Sequence, residues 1–161
     1  MSKCRQACRL YCIQLQKFKS VFMSIENNKA AVREFTRVFK NDHNVNGVDH
    51  LFAKDFKHNF RVPVSLGLQG YKEIGAVMNT AFPDVVVTED RLIADESFVV
   101  EMSHAAATNS GPYMHYPATN NKINWTEIHV YKFNKEGKII EHWIEMSMLE
   151  LLMQINVAKM V

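Results

Sequence analysis

The order of patterns along the chain predicts an α+β fold, with N-terminal helices packed on one face of a curved antiparallel sheet. Three observations carry that prediction. Apolar side chains recur at helical spacing in the first half, at Ala31, Phe35, Val38 and Phe39, and again at Ile74, Val77, Met78 and Phe82. Pro83 ends the helical half. From Val85 onward, runs with two-residue alternation are separated by turn-forming residues.

The first helix is expected from Asn28, with Asn27 or Asn28 as its cap. Asn41 to Asn46 is polar and turn-like, and Val48 to Phe52 is a short second helix with Leu51 and Phe52 inward. Asp55 to Phe60 reads as a short strand carrying His58, and Pro63 to Gly70 as a loop. Tyr71 to Phe82 is the third helix. Strands follow at Val85–Asp90, Ser97–Thr108, Lys122–Asn134 and Lys138–Met146, with a long loop from Asn109 to Asn121 and a tight turn at Lys135-Glu136-Gly137. Leu149 to Ile155 is a short helix or tail. A bent sheet covered by helices leaves a cone, and a cone is a natural place for a ligand.

A length of 161 residues fits one domain with a single sizeable core. The net charge of +2 gives no case for nucleic acid as a partner. No apolar run approaches the roughly 20 residues a membrane helix needs. Residues 1–22 stand apart as a basic extension: Lys3, Arg5, Arg9, Lys17 and Lys19 occur there without an acid. The folded domain is expected to begin at Met23 and run to residue 161. Cys4, Cys8 and Cys12 are the only cysteines. Their spacing suits free thiols on one helix face, which fits a reducing cytoplasm. No phosphate loop or nucleophile elbow is present, and no HxH or HxxxH pair falls in one element, so neither a metal nor a cofactor is expected.

Four segments together resemble the SnoaL-like polyketide cyclase family, within the nuclear-transport-factor-2-like (NTF2-like) superfamily. They are NKAAVREFTRVF, HLFAKDFKHN, LQGYKEIGAVMNTAFPDVVVTEDRLIADESFVV and INWTEIHVYKFNKEGKIIEHWIEMSMLELLMQI, and the resemblance spans Ile25 to Ile155. It implies a cone-shaped fold, often a homodimer through the outer sheet face. Members close a polyketide ring by an aldol step; relatives on the same fold isomerise steroids, dehydrate small molecules or open epoxides, and others only bind or assemble. The resemblance also implies a general acid/base on the final strand, after the His-Trp pair, where this chain has Ile144, and a second acid where it has Ser147. Isoleucine can neither take nor give a proton, so the catalytic group has moved or the chemistry is absent.

Histidine is the side chain that replaces such an acid near neutral pH. His104 shares a strand face with Phe98, Val100, Met102 and Ala106, which reads as the cavity side, and a strand acid falls near this position in epoxide-opening relatives. His142 shares a face with Ile140, Ile144 and Met146, opposite Ile139, Glu141, Trp143 and Glu145. His58 matches a histidine common at this point of the family. These three are the candidate catalytic residues. Trp125, Glu127 and His129 alternate on a face that is either cavity or dimer surface; Glu127 and His129 point the same way and can pair, the carboxylate holding the imidazole tautomer. With Met102, Ile144, Met146 and Tyr113 of the long loop, they are the candidate ligand contacts. Two function classes follow. One is a cofactor-free cyclase, isomerase or lyase acting on a small hydrophobic carbonyl compound. The other is a binding or dimerisation module with the same cavity and no working acid/base.

Overall fold

The computed structural model describes residues 14–16, 24–59 and 65–159, without the Ser65 side chain. Cys4, Cys8, Cys12, Met23, Phe60 and Pro63 lie outside the described residues, as does most of the basic extension. Helix α1 covers residues 24–35 and continues as a π-helical turn, Thr36–Asn41. A single 3-10 turn, Asp49–Leu51, leads into strand β1, Phe52–Asn59. The two-residue strand β2, Ser65–Leu66, precedes α2, Leu68–Ala81. Strands β3 (Val86–Ala94), β4 (Phe98–Thr108), β5 (Lys122–Phe133) and β6 (Ile139–Met146) follow, and α3, Met148–Gln154, closes the described chain.

The sheet order is β2-β1-β6-β5-β4-β3, and the sheet is curved and unclosed. Strands β3 to β6 form the expected antiparallel meander. Strand β1 joins it in parallel with β6, with His58 opposite His142. Local alternation carries no record of that pairing, because its two strands are far apart in sequence. Asn28 is already inside α1 and bonds the Glu96 carbonyl rather than capping the helix. Helix α1 is also fastened to β3 by a two-pronged Arg33–Glu89 ion pair, at 2.9 and 3.0 Å.

The core falls into two apolar clusters. One gathers Val32, Phe35, Phe39, Phe52, Phe56 and Tyr71 against Val99, Tyr131, Phe133 and Ile139. The other joins Phe82, Val85 and Val87 to Ala105, Ile123, Trp125 and Leu151. Along each central strand, the inward residues between the clusters are polar: Glu101 and Ser103 on β4, Glu127 and His129 on β5, His142 on β6. Buried polar groups in such a band must find partners among themselves.

Two regular alternations are broken by single-residue bulges. In β3 the register shifts between Glu89 and Arg91. Between β5 and β6, Lys132 pairs Glu141 while Phe133 pairs Ile139, so Ile140 is the extra residue. Strict alternation puts Ile139 and His142 on opposite faces; the bulge brings both inside, where both are fully buried.

Candidate functional site

The polar band forms a connected network. Glu127 is its anchor. Its Oε1 accepts the Trp125 indole N–H at 2.7 Å, and its Oε2 accepts from Lys40 Nζ at 3.0 Å. His129 Nε2 lies 2.7 Å from the same Oε2. His129 Nδ1 is 2.9 Å from His142 Nε2, and His142 Nδ1 is 3.0 Å from His58 Nδ1. The chain therefore runs Glu127–His129–His142–His58 through adjacent strands β5, β6 and β1. The rings lie in nearly parallel planes, 8° apart for His129 and His142 and 23° for His142 and His58. Tyr131 packs on His142 with centroids 4.7 Å apart, and Tyr71 on His58 at 4.5 Å.

Lys40 arrives from the π-helical turn. There Asp42 N–H reaches back to the Arg37 carbonyl, five residues away. The turn sends Thr36 and Lys40 toward the sheet. Thr36 Oγ1 donates to Glu101 Oε1 at 2.7 Å, the Tyr131 hydroxyl donates to Glu101 Oε2 at 3.2 Å, and Lys40 Nζ stands 3.7 Å from that oxygen. Two buried carboxyls thus flank one amine. Ser103 Oγ, opposite Glu127 on β4, is buried with no hydrogen-bond partner among the described residues.

Burial and neighbours set the protonation. Burial alone would raise Glu127, but Lys40 and His129 outweigh it and hold this carboxyl well below the usual carboxylate range. Burial lowers His129, and Lys40 lowers it further against the pull of Glu127. His142 is pushed well below the usual imidazole range by burial, then by His129, His58 and Lys40. Burial, with His129 behind it, brings His58 down to about 4. At neutral pH the site holds an ionised Glu127 and neutral rings.

One set of tautomers has the ionised Glu127 accepting from His129. An ionised carboxylate only accepts, so His129 Nε2 carries the proton given to Glu127. The 2.8 Å approach of Lys40 Nζ to His129 Nε2 is then two donors meeting at a shared Oε2. His129 Nδ1 accepts from His142 Nε2–H. His142 Nδ1 accepts from His58 Nδ1–H. The lone pair of His58 therefore sits on Nε2.

A cavity of about 750 Å³ opens between α2 and the inner sheet face. Its wall is mostly apolar, including Phe39, Tyr71, Ile74, Val85 and Met148. Polar chain members reach it at His58, Lys40, Glu127 and His129. His142 is not on the wall; it joins His58 to His129 from behind. Of the candidate ligand contacts, Trp125, Glu127, His129, Tyr113, Ile144 and Met146 line the cavity.

His104 and Met102 do not. Their expected face is the outer one. The His104 side chain is half exposed and bonds Asp90 through Nδ1 at 2.8 Å; Met102 is 40% exposed. The inner face of β4 carries Val99, Glu101, Ser103, Ala105 and Ala107 instead. Hydropathy chooses wrongly here because the inner face contains Glu101 and Ser103. Lys40, Glu101, Thr36 and Tyr131 are absent from the sequence-derived site. The available signal was Lys40 directly after the buried Phe39, yet a lysine ending a helix normally faces water.

Ile144, where the resemblance leads one to expect an acid, is part of the cavity wall. Ser147 turns its hydroxyl to the Thr126 N–H, 3.0 Å away. Neither can transfer the proton a carboxyl would.

The fold recurs in solved structures. The proposed hydroxylase AclR of Streptomyces galilaeus superposes with a TM-score of 0.77 at 22% identity, over 85% of this chain and 89% of that one. A proposed polyketide cyclase of Acidithiobacillus ferrooxidans gives 0.70 at 26% identity, over 83% and 96%. An LEH-like epoxide hydrolase of M. tuberculosis gives 0.61 at 13% identity, over 82% and 91%. No protein with a curated description matches the chain. The family model for SnoaL-like polyketide cyclases matches residues 29–155. With that match covering most of its length, the chain belongs to the SnoaL-like polyketide cyclase family.

Proposed function

We propose that the protein is a cofactor-free acid/base enzyme acting on a small hydrophobic carbonyl compound, of the cyclase, isomerase or lyase type. One observation carries this reading: the buried chain Glu127–His129–His142–His58 reaches the wall of an apolar cavity. His58 Nε2 takes a proton from the carbon next to the carbonyl, and Lys40 Nζ steadies the oxygen as negative charge develops on it. The apolar wall supports a flat hydrophobic ligand, and the cysteine usage supports a reducing, cytoplasmic setting. Exposed Val86, Ile93, Met102 and Ile128 support a homodimer through the outer sheet face; sedimentation as a monomer at micromolar concentration removes that part.

The test uses 2-tetralone, an apolar bicyclic ketone, and follows exchange of its α-protons in D2O by NMR. The protein should accelerate exchange above the protein-free rate, and His58→Gln should lower that acceleration by about a hundredfold. Exchange that is unchanged in His58→Gln rejects His58 as the base. The second reading is a binding module, favoured by Ile144 where the resemblance leads one to expect an acid. It predicts 2-tetralone binding without any exchange.

A further inference from the structure

His142 is the one ring of the chain with no place on the cavity wall, and it is completely buried. A histidine in that position needs a reason, because apolar side chains of similar size would fill the space without needing partners. Both of its nitrogens are used, one toward each neighbouring ring, at 3.0 and 2.9 Å. The two neighbours, and the Glu127–Lys40 pair beyond one of them, all face the same cavity. The chain therefore begins and ends on one ligand space, with its middle shielded from it.

We propose that His58, His142, His129 and Glu127 form a proton wire through the wall of the cavity, carrying a proton taken from a ligand at the His58 end to the Lys40–Glu127 end. The inference rests on the acid/base reading above and deepens it, by assigning His142 a role and by naming where the proton goes. Each step exchanges one N–H for another. His58 Nε2 takes the proton of a C–H bond, whose electron pair becomes the C=C bond of an enolate, and the carbonyl π pair moves onto oxygen. His58 gives its Nδ1 proton to His142 Nδ1. His142 gives its Nε2 proton to His129 Nδ1. His129 gives its Nε2 proton to Glu127 Oε2. Lys40 Nζ passes a proton to the enolate oxygen and regains one from Glu127 Oε2, 3.0 Å away. The sum is ketone to enol, and when the enol leaves, its O–H and the His58 N–H at the cavity wall exchange with water, which is the step the D2O assay reads. Every ring ends in the opposite tautomer, and the reverse sequence, delivering a proton from His58 back to carbon, resets the chain.

The substrate class follows from that balance. The wire suits reactions in which a carbon-bound proton and an oxygen-bound proton trade places inside one ligand, such as enolisation and the ring-closing aldol step built on it. It does not suit hydrolysis, which consumes a water.

The experiment has two arms, both on the full chain. In the first, long-range 1H–15N NMR of histidine-labelled protein at pH 7 reads the tautomers. The expected pattern is His58 with its proton on Nδ1, and His142 and His129 with theirs on Nε2. A reversed pattern, or a doubly protonated His142, overturns the wire without needing any variant to fold. In the second, His142→Phe keeps a ring of similar size and leaves the cavity lining intact. It should bind 2-tetralone within about twofold of the natural protein yet exchange its α-protons about a hundredfold more slowly. Exchange equal to that of the natural protein overturns the wire while leaving His58 as a base. Absence of exchange by the natural protein, with the expected tautomers, overturns the enzymatic reading and keeps the wire's polarity.

Discussion

Acidification from pH 7 to 4 should destabilise this protein strongly, and the histidine chain should be the main cause. His58 is the group whose shift can be worked through. Its pKa falls from about 6.5 in the unfolded chain to about 4 in the fold. Between those values the unfolded state binds the proton and the folded state does not, so stability rises with pH across this window. The contribution is fully present above pH 6.5, is lost progressively below it, and levels off under pH 4. At about 1.4 kcal/mol per pKa unit, His58 alone accounts for roughly 3 kcal/mol. His129 and His142 are lowered as well and act in the same direction. The lowered Glu127 extends the loss to pH values below the normal carboxylate range. The groups facing these rings are Glu127, Glu101, Lys40, Tyr71 and Tyr131; the two carboxyls favour an imidazolium, but burial and Lys40 outweigh them. Urea unfolding at intervals from pH 4 to 7 measures the slope. One titrating histidine gives at most about 1.4 kcal/mol per pH unit, so a steeper slope between pH 5 and 6 requires more than one. His142→Phe should lower it by about one histidine's share. A flat or falling dependence would show charged rings in the folded protein and refute the tautomer argument with it.

Other outcomes follow from the same geometry. His104→Ala should leave 2-tetralone binding and exchange unchanged and shift stability by under about 0.5 kcal/mol, since its pairing with Asp90 is solvent-exposed; a lost activity would put the chemistry on the outer face. Lys40→Met removes the amine between Glu101 and Glu127 and should cost about 3–5 kcal/mol in urea unfolding at pH 7. A cost under 1 kcal/mol would mean that Glu127 is not ionised there. Gly75→Ala places a methyl 2.5 Å from the Phe39 ring, which is itself stacked on Phe35 and Tyr71. It should lower stability by about 1–3 kcal/mol, read as a drop in melting temperature.

The sequence discloses the fold more fully than the site. Helical spacing at Phe35 and Phe39, Pro83 and the turn at Gly137 place the elements to within a few residues, because each is a local signal. The parallel union of β1 with β6 is not local and left no mark. At the site, the two-residue spacing of Glu127 and His129 made their pairing readable. The inner face of β4 was not readable, because Glu101 and Ser103 make it look like the wet side; only the arrival of Thr36, Lys40 and Tyr131 from other elements makes burial tolerable there. The Ile140 bulge hid the common face of Ile139 and His142 in the same way: one residue out of phase inverts every side chain that follows.

The irregularity in β3 bears on how these molecules meet in solution. That strand is the outer margin of the sheet, and the register slips at Asp90, between Glu89 and Arg91. A kinked margin carrying three consecutive charges is a poor template for a further strand, since an incoming chain would have to leave hydrogen bonds unmade and crowd its own side chains against those charges. Growth by strand addition, the route toward fibrils, is therefore blocked at this border.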